Sequence, residues 1–231
     1  MQQLASVALE DVELFADIAV PEGARGVVLF AHGSGSSRHS PRNVHVAGVL
    51  NRGELGTILI DLLTEEEEKE DLQTSALRFD IPLLGRRLTG ITDWIGGQPG
   101  LRNLELGYFG ASTGAAAALV AAAERPKVVR AVVSRGGRPD LAGASLQAVR
   151  APTLFIVGGN DPVVLDLNAA AMVQLPRGTE HKLEVIDGAG HLFEEAGALG
   201  KVASLARYWF RQHLGPRPDP QAGTGAGCAG S

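Results

Sequence analysis

The stretch LELGYFGASTGAAAAL, residues 104–119, decides the fold. Its first half, Leu104 to Phe109, is an apolar run of strand length, and the alanines from Ala115 onward favour helix more than any other residue. Between them, Gly110-Ala111-Ser112-Thr113-Gly114 fits G-x-S-x-G, a strained strand-to-helix turn that lifts a serine hydroxyl out of a sheet. Small residues are needed on both sides because the backbone folds back closely on itself. In a chain with 30 glycines the bare pattern is weak evidence, and an ordinary glycine-rich turn competes with it. The context gives it weight, because a strand runs directly in and a helix directly out.

Outward from this turn, apolar runs alternate with segments of helix length. The runs are GVVLFAH (26–32), GTILIDL (56–62), LELGYFGAS (104–112), VVRAVVS (128–134), PTLFIVGG (152–159) and HKLEVID (181–187). Runs this short that do not alternate predict parallel strands covered on both faces. Val7 and Leu9, then Val12, Leu14, Ala16, Ile18 and Val20, alternate instead and predict antiparallel edge strands before the turn Pro21-Glu22-Gly23. Helices are predicted at about 41–53, 75–95, 113–124, 165–174 and 195–213. The sum is a doubly wound α/β sandwich. The acidic run Glu65 to Glu70 reads as a solvated connection rather than a metal site, since adjacent like charges repel and point apart.

With 231 residues, the chain predicts one domain over 1–214, followed by a disordered tail, 215–231, too poor in apolar groups to offset its ordering entropy. A formal charge of -5 disfavours nucleic acid as a partner. The start, MQQLASVALEDVELF, has neither a basic stretch nor a continuous apolar run, so the expectation is no leader, no membrane and a cytoplasmic location. The one cysteine, Cys228, leaves no internal disulfide and disfavours a cysteine nucleophile.

A nucleophilic Ser112 needs a base, and His191 follows the last strand in Asp187-Gly188-Ala189-Gly190-His191, where glycines free its ring. An orienting acid belongs between them in chain order, after an earlier strand. Asp161 in Gly158-Gly159-Asn160-Asp161-Pro162 fits best, while Asp140, Asp166 and Asp187 read as turn or helix-start residues. For the oxyanion, backbone donors are expected at Thr113 and, in the loop His32-Gly33-Ser34-Gly35, at Ser34 in preference to Gly35. Arg38 and Arg42, and Arg135 with Arg138, are placed to orient an anionic substrate, or alternatively to pair with carboxylates such as Asp80 or Asp140. No histidine and cysteine spacing suggests a metal, and no cofactor is implied.

With these residues in place, the chain resembles the dienelactone-hydrolase-like branch of the α/β-hydrolases, especially its short, capless serine members. The resemblance covers Leu4 to about Leu214 and rests on HGSGSSRHSPRN (32–43), RFDIPLLGRRL (78–88), GYFGASTGAAAAL (107–119), SRGGRPDLAG (134–143), GGNDPVV (158–164) and GAGHLFEE (188–195). It implies an α/β-hydrolase fold of about eight mostly parallel strands with helices on both faces. It also implies carboxylic ester hydrolase activity, with nucleophile, acid and base on Ser112, Asp161 and His191. Dienelactone hydrolases proper carry cysteine where this chain has Ser112. Related hydrolase domains occur fused to phosphoribosyltransferases, and these residues encode no such partner. The function expected is cleavage of small acyl esters or lactones. A thioesterase or amidase using the same three residues, and a non-catalytic binding module on the same fold, are the alternatives.

Overall fold

The computed structural model describes residues 2–215. The expected tail, with Cys228, lies outside the described residues except for Gly215, whose N–H donates to Glu105 Oε2 at 2.8 Å. The strands are β1 (Gln2–Ala8), β2 (Glu13–Ala19), β3 (Gly26–Ala31), β4 (Leu55–Ile60), β5 (Glu105–Ala111), β6 (Val129–Arg135), β7 (Thr153–Gly158) and β8 (His181–Ile186). The helices are α1 (Pro41–Arg52), α2 (Glu65–Thr74), α3 (Ile81–Gly97), α4 (Thr113–Glu124), α5 (Pro162–Gln174) and α6 (Ala198–His213).

The strands form a single sheet in the order β1-β2-β4-β3-β5-β6-β7-β8. β1 and β2 are antiparallel to their neighbours, and from β4 to β8 every pairing is parallel. Burial explains the two kinds of sequence. β3, β4 and β7 are buried at every position, as unbroken apolar strands between two helix layers must be, whereas β2 turns Leu14, Ala16 and Ile18 inward and its alternate residues outward. One layer holds α1 and α6, through Val46, Leu50, Val202 and Phe210. The other holds α3, α4 and α5, through Leu88, Ile91, Leu119 and Ala171. Each such valine, leucine, isoleucine or phenylalanine contributes about 1.5–3 kcal/mol on full burial.

From β3 the chain moves outward to β4, then returns to place β5 on the opposite side of β3. This reversal opens a crevice beyond the carboxyl ends of β3 and β5, where doubly wound sheets place their ligands.

The acidic run is a helix, not a connection. Thr64 and Glu67 form a reciprocal capping box, in which the Thr64 hydroxyl accepts from the Glu67 N–H and the Glu67 carboxylate accepts from the Thr64 N–H. Glu65 to Glu68 fill the first turn, where the helix dipole favours negative charge. Two arginines then hold α2 down: Arg87, only 4% exposed, grips Glu67, and Arg78 grips Asp71 with Nε to Oδ2 at 2.5 Å. The next helix starts at Ile81 rather than 75. Ser75 ends α2 in the left-handed region at φ 56°, and Asp80 caps α3 by accepting from the Leu83 N–H at 2.9 Å. Tight 3-10 turns over Pro139–Ala148, broken by Gly143 at φ 52°, add an element that the apolar pattern of the sequence does not mark.

Candidate active site

Ser112 joins β5 to α4 at φ 49° and ψ −121°, a conformation that costs a non-glycine residue about 1–3 kcal/mol and persists only when its surroundings enforce it. Its N–H donates to Arg135 O at 3.2 Å on neighbouring β6, and its carbonyl accepts from the N–H groups of Ala115 and Arg138, both at 3.1 Å. The two glycines of the motif are explained by contact. A Cβ on Gly110 would lie 2.5 Å from Ala115 Cα, and one on Gly114 would lie 2.3 Å from Ala31 O. The turn therefore folds only with both side chains absent. Ser112 remains half-buried, and its hydroxyl has no hydrogen-bond partner among the described residues.

Asp161 follows β7 and His191 follows β8, and their loops are bound together. Asn160 donates through its backbone to Ala189 O and through its side chain to Gly188 O, each at 2.9 Å. His191 Nδ1 lies 2.7 Å from Asp161 Oδ2. Because a carboxylate only accepts, Nδ1 carries the hydrogen, and the neutral ring keeps the lone pair on Nε2. Asp161 Oδ1 accepts from the Val164 N–H at 3.4 Å and caps α5. Of the carboxylates weighed from sequence, Asp161 is the one the fold brings to His191; Asp140 instead holds Arg138 with two contacts, at 2.9 and 2.8 Å.

The His191 turn is anchored from below by a residue the sequence did not single out. Phe193 adopts φ 57° yet is 2% exposed, so burial of its ring holds the strained turn in place. The turn rests against Gly136, at φ 50°, where a Cβ would meet His191 O at 3.1 Å and the imidazole at 3.5 Å. Thus Arg135 at the end of β6 gives Ser112 a backbone acceptor, and Gly136 just after it is a floor for His191.

The loop after β3 approaches Ser112 from the other side, with Gly33 so close that a Cβ would lie 3.0 Å from Ser112 Cβ. Thr113 and Ser34 are neighbours, and the Ser34 N–H donates to Thr113 Oγ1 at 3.1 Å rather than standing free. Thr113 opens α4, so its own N–H has no preceding turn to bond. His32 pins this loop, donating from Nδ1 to Gly33 O at 3.0 Å while Nε2 accepts from the Leu62 N–H at 3.1 Å. Both bonds require the neutral ring, and burial pushes the His32 pKa below its ordinary value. The His-Gly pair at the strand end was the available signal for this role.

A cavity of about 380 Å³ lies here, bounded by Gly33 to Ser37, Arg42 and Thr113, with Glu68, Asp71 and Leu72 of α2 along one wall. The arginines predicted at the site divide, Arg138 being held by Asp140. Arg38 is tied into the scaffold, giving its N–H to Asp61 Oδ1 at 2.7 Å and its guanidinium to Asp61 and Asp17, so it is unavailable for substrate. Arg42 reaches Glu194 Oε1 at 3.7 Å, and Arg135 makes no ion pair with any described residue. Nowhere among the described residues do three histidine, cysteine or acidic side chains gather as a metal would require, and no helix is long and apolar enough to cross a membrane.

A mostly parallel eight-stranded sheet in this order, with a strained serine after β5, is the fold of the α/β hydrolases. The chain belongs to the Dienelactone hydrolase family, whose pattern matches residues 69–212. It is similar to a dienelactone hydrolase from Anabaena variabilis of known crystal structure, with 57% identity and a TM-score of 0.90 over 93% of this chain and 98% of that one. It is also 57% identical over 202 residues to a Mycobacterium tuberculosis protein named "Putative phosphoribosyl transferase Rv0571c". That match takes in 87% of this chain but 44% of the relative, so the chain spans less than half the length of the curated proteins it matches. Est1E from Butyrivibrio proteoclasticus shares the fold alone, at 14% identity and a TM-score of 0.74 over 90% of this chain and 98% of its own.

Proposed function

We propose that the protein hydrolyses small carboxylic esters or lactones through an acyl-enzyme on Ser112, with His191 as proton carrier and Asp161 as its orienting acid. The observation that carries this reading is the His191 Nδ1 to Asp161 Oδ2 contact of 2.7 Å, at the same end of the sheet as a serine held in a strained turn with a free hydroxyl. His191 Nε2, left with its lone pair, takes the Ser112 proton as Oγ attacks the acyl carbon, and Asp161 stabilises the imidazolium that forms. The same proton then passes to the leaving alcohol oxygen. Water, deprotonated by His191, cleaves the acyl-enzyme and regenerates Ser112.

The Thr113 N–H is the first donor to the oxyanion. Ser34 supplies the second when its N–H turns from Thr113 Oγ1 to the developing charge, the two acceptors lying on adjacent groups. The cavity of about 380 Å³ beside these donors suits a small acyl group rather than a long lipid chain. Membership of the dienelactone hydrolase family supports the reaction class. A panel of p-nitrophenyl esters, thioesters and lactones tests it: ester turnover should lead the panel and fall about a thousandfold or more in Ser112→Ala. Near-normal turnover by a folded Ser112→Ala protein would refute the reading.

A further inference from the structure

Strand β8, His181-Lys182-Leu183-Glu184-Val185-Ile186, ends the sheet, and among the described residues no strand pairs with its outer side. It runs in unbroken parallel register with β7, from His181 beside Thr153 to Ile186 beside Gly158. The bonds at its two ends show which groups face β7: the Thr153 N–H donates to Glu180 O and the Gly159 N–H to Ile186 O, both at 2.9 Å. Backbone direction alternates along a strand, so the N–H and C=O groups of His181, Leu183 and Val185 point away from the sheet. Little protects this edge. It has no proline and no bulge, and its two charges, Lys182 and Glu184, are of opposite sign and meet each other at 2.5 Å. The helix beside it is also uncovered. α5, PVVLDLNAAAMVQ, packs on β7 and β8, and its one charged residue is Asp166. Val163, Ala169, Ala170 and Val173 are nonetheless exposed, and Val173, at 87%, is the most exposed large apolar side chain among the described residues. A helix apolar all round is ordinarily covered on every side. Val185, also exposed, extends this surface onto the strand, on the face where Leu183 packs against the core layer that holds Ala171 of α5.

We infer that the free edge of β8 is the interface for a second copy of this chain, paired antiparallel about a two-fold axis through Leu183, with α5 of both copies flanking the seam. Hydrogen-bond parity and charge together select this register. Antiparallel partners exchange both bonds only where their groups face each other, which here means His181, Leu183 and Val185 against the same set in the copy. Centred on Lys182, the pairing would set Lys182 against itself, and centred on Glu184 it would set Glu184 against itself, like charges directly opposite in both cases. Centred on Leu183, it lets Leu183 exchange bonds with Leu183 of the copy, and His181 with Val185 of the copy. It also places Lys182 opposite Glu184 of the copy, twice over by symmetry. The register that uses every free backbone group is thus the one that opposes unlike charges. A two-fold perpendicular to the sheet keeps each face continuous, so both copies of α5 lie on one side of the seam. The cavity near Ser112 is bordered by the loops that follow β3 and β4, several strands from β8, and pairing at this edge leaves it open. The association is independent of the reaction proposed above.

Sedimentation velocity of the full chain, at about 1 to 100 µM, tests this on wild type, Lys182→Glu, Glu184→Lys, the double variant carrying both reversals, and Val173→Lys. Wild type should sediment as two chains at the upper end of the range. Each single reversal sets like charges opposite each other at two symmetric places and should weaken self-association by about tenfold or more. The double variant should regain it, because the swapped charges face each other in the same register. Val173→Lys should weaken it too, by placing a charge on the flanking helix face. Circular dichroism spectra should match wild type throughout, since these side chains lie at the surface. Amide exchange resolved by residue gives a second reading. The N–H groups of His181, Leu183 and Val185 should exchange more slowly as wild-type concentration rises, and fast at every concentration in Lys182→Glu. A wild type that remains monomeric at about 100 µM would overturn the inference, as would a dimer that neither single reversal weakens, whose contact then lies elsewhere. Failure of the double variant to recover would overturn the register, and an unchanged dimer in Val173→Lys would remove α5 from the interface. Should a reversal not fold, the exchange of the three wild-type amides decides, and rates independent of concentration would refute the pairing.

Discussion

In Asp161→Asn, one oxygen of the side chain is kept and the other exchanged for an amide nitrogen. Oδ1, which accepts from the Val164 N–H at 3.4 Å, survives, and asparagine caps a helix about as well as aspartate, so α5 should be nearly unaffected. Loss of the charge at the helix N-terminus costs about 0.3–1 kcal/mol, a drop in melting temperature of about 1–4 °C for a domain of this size. The contact to His191 fares differently. Oδ2 accepts from Nδ1 at 2.7 Å, with the aspartate side chain 16% exposed, and the imidazolium of the transition state leans on that charge. A hydrogen bond to a charged group is worth up to about 3 kcal/mol, a rate factor of roughly 150. An amide N–H facing Nδ1 would also move the ring hydrogen to Nε2, where it blocks proton uptake from Ser112, so the total loss in kcat should be on the order of 10³ to 10⁴. The assay is kcat on p-nitrophenyl acetate beside a thermal melt. A loss under tenfold with an unchanged melt would refute the assignment of Asp161, and an equal loss in Asp187→Asn would show that position in the loop rather than contact with His191 decides the effect.

Glu67→Gln weakens the partner of Arg87, a guanidinium 4% exposed, and should cost about 2–3 kcal/mol, or about 4–12 °C in melting temperature, with recovery in the double variant that also carries Arg87→Met. His32 sets the acid side of stability: burial lowers its pKa from the ordinary 6.5, so the unfolded chain binds a proton that the folded chain refuses. Its contribution is therefore present above pH 6.5 and lost as pH falls below it, with a slope of at most about 1.4 kcal/mol per pH unit, and burial of His213 acts in the same direction. Melting curves from pH 7 to pH 5 should fall in wild type and flatten in His32→Asn; a level wild-type profile would contradict the neutral pin. Gly137→Ala should misfold or melt far lower, since its Cβ would lie 2.0 Å from Ser134 Oγ and 2.6 Å from Ala115 Cβ, and a protein of wild-type stability would show that this packing is wrong.

The apolar runs showed the central strands because β3, β4 and β7 are buried at every position, a burial that demands unbroken hydrophobic sequence. Alternation marked β2 for the opposite reason, one face being exposed. Helix α2 escaped because its charges mask it: only Asp71 is buried, and what holds α2 is a cap and two arginines distant in sequence. The T-x-x-E of the capping box, Thr64 to Glu67, was the local clue, and it outweighs repulsion that the helix dipole already softens. Chain order singled out Asp161 and His191 as the pair that meets, because strand order fixes which loops share the sheet end. Pairings settled by side-chain reach were not legible. Arg38 lies 23 residues from Asp61, and no spacing rule distinguishes it from Arg135, 93 residues beyond Arg42, which the fold leaves without a partner. The capture of the Ser34 amide by Thr113 is likewise a matter of a single hydroxyl rotamer.

The central claim is that the Ser112 hydroxyl is the nucleophile, made reactive by His191. Intact-mass measurement after exposure to a fluorophosphonate tests it most directly, with the site of attachment read by peptide mapping. The account predicts one adduct per chain, on Ser112, formed slowly in His191→Ala and absent in Ser112→Ala. An adduct on any other residue, or none in wild type that still hydrolyses esters, would contradict it.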